Sequence, residues 1–193
     1  MSEFTYLEIV GIGSLVFVGL KVTISVLKGF WTTFLGYKLG FGIEWKVGDN
    51  VWAVVTGATD GIGLQYAKQM AQKGYNLVII SRNEDKLMAT QKSLLNDYKD
   101  CKQVKIIAAD FSRTDIYDKI AKELNQLEVI DVLVNNVGIV YHIPEYFLKI
   151  GSAFNEQYLN VNCVSALKMS EIVLPKMCQN RRGIIINISS AIG

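Results

Sequence analysis

The run Thr56-Gly57-Ala58-Thr59-Asp60-Gly61-Ile62-Gly63 constrains the fold more than any other stretch, because of what stands on either side of it. Before it, Val51-Trp52-Ala53-Val54-Val55 is apolar and rich in β-branched residues, which predicts a buried strand. After it, Ile62, Tyr66, Ala67, Met70 and Ala71 share one face at helical spacing, and Gly74 stands where a helix would stop. The glycines alone fit any glycine-rich turn between a strand and a helix. Strand, turn and helix in this order make a cradle for phosphate. Gly57 permits the tight turn, Gly61 lets backbone N–H groups approach a pyrophosphate, and Gly63 lets the helix lie close to the strand. A second strand, Asn76 to Ser81, follows at the distance where a dinucleotide fold reads the ribose.

From Val51 onward, apolar strands alternate with amphipathic helices. Glu84 to Tyr98 predicts a helix with acids in its first turn and Leu87, Leu94, Leu95 and Tyr98 as contacts. Val104 to Ala109 predicts a third strand, and Ile116, Ile120, Leu124 and Leu127 form the apolar stripe of the next helix. Val132-Leu133-Val134 is a short fourth strand, a long helical pattern runs from about Phe154 towards Pro175, and Gly183 to Ile188 is a fifth strand. Unbroken apolar strands in strict alternation with helices imply a doubly wound α/β domain, its parallel sheet covered on both faces. The boundary before this domain is expected near Val47-Gly48-Asp49-Asn50, giving segments 1–48 and 49–193.

In an open parallel sheet, ligands sit outside the carboxyl ends of the strands. After the second strand come Ser81, Arg82 and Asn83, with no acid where the ribose 2′-hydroxyl would be bonded. Arg82 is placed to pair with a 2′-phosphate, which favours NADP(H), or it is a solvated surface arginine. After the third strand, Asp110-Phe111 offers a carboxylate and an aromatic for an adenine edge; Asp110 equally fits a turn with Ser112 and Thr114. Asn135-Asn136-Val137-Gly138 follows the fourth strand, and Ser189-Ser190 follows the fifth. These residues alone do not separate the two serines.

TGATDGIG, SRN, ADF, NNVG, VNCVS and NISS, in that order, resemble the short-chain dehydrogenase/reductase family. TDGIG, DIYDKI, LVNNVG, PEYFL and LPKM, with the apolar leader, look like its membrane-bound branch of 17-beta-hydroxysteroid dehydrogenases and very-long-chain 3-oxoacyl-CoA reductases. The resemblance implies that Gly57, Asp60, Gly61, Ile62 and Gly63 form the pyrophosphate loop, with Ser81 and Arg82 at the ribose. It implies that Asp110 touches the adenine, and that Asn135 and Gly138 lie beside the cofactor. Asn162 matches a helix asparagine that holds a proton-relay water, and Ser190 the residue that bonds the substrate carbonyl. An NADPH-dependent reduction of a lipid ketone follows, with a very-long-chain 3-oxoacyl-CoA in fatty acid elongation as substrate, or else a steroid. A homodimer or elongation-complex partners are further implications. The family's general acid is the tyrosine of a Tyr-x-x-x-Lys motif shortly after this serine, and no tyrosine follows Ser190 in the 193 residues. The chain as given is therefore expected to lack turnover, which leaves open a truncated, inactive membrane-bound form. His142, the only histidine, is a plain loop residue or a substitute acid.

Ahead of this domain, Ile9 to Leu27 carries a single charge, Lys21, over 19 residues, close to the roughly 20 that cross a bilayer. With Lys21 read as lying near one end, its ammonium is expected to snorkel to the headgroups. Glu3 and Glu8 precede the segment and Lys21, Lys28, Lys38 and Lys46 occur later, which places the domain on the cytosolic side, and the resemblance implies that the membrane is that of the endoplasmic reticulum. A helix lying on the membrane or packed on the domain is the alternative. The net charge of +2 is evenly mixed, which argues against nucleic acid as a partner. Three widely spaced cysteines, without a CxxC pair, argue against a zinc site or disulfide frame.

Overall fold

A computed structural model describes residues 5–36, 38–39, 45, 47–141, 143 and 145–189, which fall into two units, Met1–Trp45 and Lys46–Gly193. The first is one helix, α1 (Tyr6–Phe30), prolonged by a π-helical turn, Trp31–Leu35. Its start is fixed by a capping box, in which the backbone N–H and hydroxyl of Thr5 both donate to the Glu8 carboxylate. The helix is longer than the apolar run suggests, because Phe30, Trp31 and Phe34 extend it to Leu35. Lys21 consequently lies near its midpoint and not near one end.

The second unit contains β1 (Val51–Thr56), α2 (Gly61–Gln72), β2 (Asn76–Ser81), α3 (Glu84–Asp97), β3 (Val104–Ala108), α4 (Tyr117–Asn125) and β4 (Val129–Asn135). There follow α5 (Phe147–Ile150), α6 (Ser152–Leu159), a π-helical turn Asn160–Val164, α7 (Ser165–Gln179) and β5 (Ile184–Asn187). The five strands are parallel in the order β3-β2-β1-β4-β5. The chain therefore builds outward from β1 in one direction, then returns to β1's other side with β4. That reversal opens a crevice between the carboxyl ends of β1 and β4. All six residues of β1 are buried, as a central strand covered on both faces requires.

The helical stripes face the sheet. Ala67, Met70 and Ala71 of α2, Leu87 and Leu94 of α3, and Ile120 and Leu124 of α4 are buried. Ile62 and Leu95, expected on those faces, are exposed instead. The fourth strand runs seven residues, not three, because Val129, Ile130 and Asp131 join it at one end, despite the acid, and Asn135 at the other. The long helical pattern is interrupted by a π-helical turn and then passes through Pro175 to Gln179, so proline does not end it.

Asp131 is the residue by which β4 exceeds β1: Trp52 pairs with Ile130 and Ala53 with Val132, leaving Asp131 as a bulge. Its buried carboxylate accepts from the Tyr75 hydroxyl at 2.7 Å and from Arg182 Nε at 2.8 Å. This ties the turn before β2 to the segment before β5. Burial, and then the Asp131 carboxylate, hold the Tyr75 hydroxyl protonated well above the ordinary tyrosine range. Removing one partner from a buried charge pair leaves the other uncompensated. Asp131→Ala should lower stability by about 2–4 kcal/mol in denaturant melts. Unfolded Tyr75 ionises near pH ~10 while the folded residue does not, so stability should fall as pH rises past that point. Tyr75→Phe should flatten that slope.

Candidate functional site

The junction of β1 and β4 is built around Thr56 and the glycines that follow it. The Thr56 hydroxyl donates to Val134 O at 3.2 Å and accepts from the backbone N–H groups of Asn136 and Val137 at 3.0 and 3.1 Å. Asn136 Nδ2 donates to the carbonyls of Thr56 and Gly57 at 3.1 and 3.2 Å. One asparagine thereby closes the glycine turn onto the fourth strand. Gly57 has φ +65°, and a Cβ there would stand 2.9 Å from Asn136 Nδ2. A Cβ at Gly63 would collide with the Gly57 carbonyl and the same amide, so this glycine serves the close packing of α2 on β1. Gly61, at φ +53°, has open space around it, as a position facing a ligand requires.

A cleft of about 550 Å³ lies over these strand ends. Thr59 and Asp60 border it from the glycine turn, Ser81, Arg82, Asn83 and Lys86 from the end of β2, and Asp110 and Phe111 from the end of β3. Gly138, Ile139, Gln157 and Val161 also line it. Of the sequence-expected residues, the structure thus brings Asp60, Ser81, Arg82, Asp110 and Gly138 together on one rim. Gly57, Gly61, Ile62 and Gly63 form the adjoining turn and helix start. Asn135 lies beneath the rim, buried, its Nδ2 donating to Asn187 Oδ1 at 2.9 Å. Among the described residues, its Oδ1 has no hydrogen-bond partner. Ser190 and His142 lie outside the described residues.

Several of these residues also make local bonds. Asp60 caps α2, its carboxylate accepting from Gly61 N at 2.7 Å. Thr59 Oγ1 and Ser81 Oγ, 3.0 Å apart, link the glycine turn to the end of β2. Asp110 makes the turn that Ser112 invites, with Oδ1 accepting from Ser112 N at 3.0 Å, and its exposed carboxylate still borders the cleft. Phe111 is a core residue, 2% exposed and packed near Tyr117, so the body of its ring belongs to the interior.

Asn162 sits in the π-helical turn and uses both side-chain groups on one residue. Its Oδ1 accepts from Ile139 N and its Nδ2 donates to Ile139 O, each at 2.9 Å. The side chain clamps the loop after β4. Asn160 Nδ2 donates to Ser112 O at 3.0 Å and ties the same turn to the loop after β3.

Three residues that sequence reasoning passed over matter here. Asn136 stood in the NNVG motif, but only the fold shows its amide reaching the glycine turn. Lys86, in the first turn of α3, adds a second cation to the rim beside Arg82, which precedes the helix cap. Asn160 carried no sequence signal apart from its neighbour Asn162.

A parallel sheet with a glycine turn, a helix N-terminus and a cleft at the strand reversal defines a dinucleotide-binding α/β domain. The chain belongs to the short-chain dehydrogenase family, whose model matches residues 51–193. It is 45% identical over 188 residues to the very-long-chain 3-oxoacyl-CoA reductase-A of Danio rerio, covering 93% of this chain and 57% of that protein. It is 40% identical over 190 residues to the very-long-chain 3-oxoacyl-CoA reductase of Homo sapiens, covering 97% of this chain and 59% of that one. The chain thus spans rather less than two thirds of these relatives' length. Among solved structures, a metagenomic short-chain oxidoreductase in complex with NADP superposes with a TM-score of 0.68 at 29% identity, covering 74% of this chain and 63% of that one.

Asn136→Ala should cost about 1–3 kcal/mol, the penalty of leaving buried carbonyls without a donor. Asn136→Asp should cost more, because it points a carboxylate at two carbonyl oxygens. Urea denaturation of both variants checks the order.

Proposed function

We propose that this chain carries the NADP(H)-binding part of a membrane-anchored reductase that acts on the 3-oxo group of very-long-chain acyl-CoA. The observation that carries the cofactor assignment is that Arg82 and Lys86 both line the cleft, at a strand end that presents no carboxylate in the ribose position. Two cations there complement a 2′-phosphate. The NADP complex of the related oxidoreductase supports the same assignment. The names of the relatives at 40–45% identity favour acyl-CoA over a steroid.

The residues divide the work. The N–H groups at the start of α2 beyond Gly61, whose own N–H is held by Asp60, receive the pyrophosphate, with Gly61 leaving space. Arg82 and Lys86 hold the 2′-phosphate, and Asp110 faces the adenosine end. Asn162, through its clamp on Ile139, fixes the loop that carries Gly138 along the cleft. When bound, NADPH supplies the hydride. Ser190 orients the substrate carbonyl in the family pattern. The proton is assigned to the family's Tyr-x-x-x-Lys tyrosine. Among the described residues, the tyrosines with shifted ionisation, Tyr75 and Tyr117, are both displaced upward by burial, the wrong direction for a donor working near neutrality.

Membrane anchoring rests on the helix from Glu8 to Leu35, whose apolar 18-residue window has a mean hydropathy of 2.1 and no buried residues. The lysines beyond it favour a cytosolic domain, and the endoplasmic reticulum is the membrane that the family resemblance suggests. The double variant Arg82→Ala, Lys86→Ala should raise the Kd for NADPH about tenfold to a hundredfold and leave NADH binding nearly unchanged. Equal weakening of both, measured by cofactor fluorescence, would remove the 2′-phosphate assignment.

A further inference from the structure

The apolar helix from Glu8 to Leu35 carries an unexplained pattern. At 3.6 residues per turn, Ser14, Lys21, Ser25 and Lys28 fall within about 60° of one another on its surface. Thr23 lies on the opposite side and is satisfied within the helix, its hydroxyl donating to Gly19 O at 2.8 Å. Among the described residues, neither Ser14 nor Ser25 makes a hydrogen bond, and Lys21 makes no ion pair. Gly11 and Gly29 flank the stripe, and a Cβ on either would meet nothing within 4 Å. Another backbone can therefore come close along this edge.

Lys21 is the critical member. Trp31 and Phe34 mark one end of the helix as the aromatic, interfacial end, and Glu8 marks the other. Lys21 lies about 15 Å from Trp31 and about 20 Å from Glu8 along the axis, beyond the reach of its own side chain to either headgroup layer. Its ammonium leans over the Phe17 ring, 4.8 Å from the centroid, towards the glutamate end and away from Lys28. A cation held at mid-depth in hydrocarbon requires a partner. A second copy of this helix would bring lysine against lysine, so it does not fit.

We propose that the stripe Ser14–Lys21–Ser25 is the docking face for a membrane-spanning helix of another protein that carries a carboxylate at mid-depth. The inference rests on the anchor reading above. The seryl hydroxyls bond along the same seam, and the flanking glycines admit the close approach that membrane helices use.

The test reconstitutes the full chain, donor-labelled, in phosphatidylcholine vesicles with acceptor-labelled Leu/Ala peptides of about 20 residues carrying a central Glu, Gln or Leu. Energy transfer should show the Glu peptide associating about three- to fifteenfold more tightly than the Leu peptide. Lys21→Leu should abolish that preference and Lys21→Arg should keep it, with NADPH binding unchanged in both. Equal association of the Glu and Leu peptides, or a preference that survives Lys21→Leu, would overturn the inference. A helix lying in the membrane plane with its stripe towards water gives that same null result. Carbonate extraction separates the two failures. A chain retained in the pellet without a Glu preference defeats the docking face alone, whereas a released chain defeats the anchor and the docking face together.

Discussion

Everything at the cleft depends on how closely α2 approaches the ends of β1 and β4. The approach is set by two glycines without side chains and one asparagine with a fully used amide. Gly63 leaves room for the Gly57 carbonyl, and Asn136 Nδ2 binds that carbonyl together with Thr56 O. Thr56 completes the joint by bonding the backbone of β4 from the other side. A methyl group at Gly63 would push α2 away from the strands, and its N-terminal N–H groups would no longer converge on the cleft. The cradle thus follows from packing before it follows from charge.

A second set of polar links carries this geometry across the sheet. Asn162 clamps Ile139, Asn160 binds the carbonyl of Ser112, and Thr59 meets Ser81. The first two tie the loops after β4 and β3 to the π-helical turn, and the third ties the glycine turn to the end of β2, so the rim is braced although much of it consists of connections. At the opposite end of the strands, Asp131 plays the equivalent part with Tyr75 and Arg182. The bulge that projects this carboxylate offsets its burial by giving it two donors.

The strands were legible because a parallel sheet buried on both faces writes itself as unbroken apolar runs; Asn76–Ser81 was readable to the residue. Asp131 hid the true start of β4, since a buried acid in a strand is intelligible only through its partners. Pro175 read as a stop because sequence cannot show that tertiary packing carries α7 one turn further. At the cleft, the rim positions of Ser81, Arg82, Asp110 and Gly138 followed from their places after strands. The roles of Asn136 and Asn160 did not, because a side-chain amide's partners, 79 or 48 residues away, leave no local trace. Lys21 shows the same limit in the helix: its depth became clear only when the helix was seen to continue through Trp31.

The central claim is that the β1–α2 turn and the end of β2 form one NADP(H) site held by Asn136. Amide hydrogen exchange of the full chain, with and without NADPH, tests it most directly. The account predicts added protection over residues 57–64, 81–87 and 136–139, with no change in α1. Protection confined to other segments, or none at residues 57–64 at saturating NADPH, would contradict it.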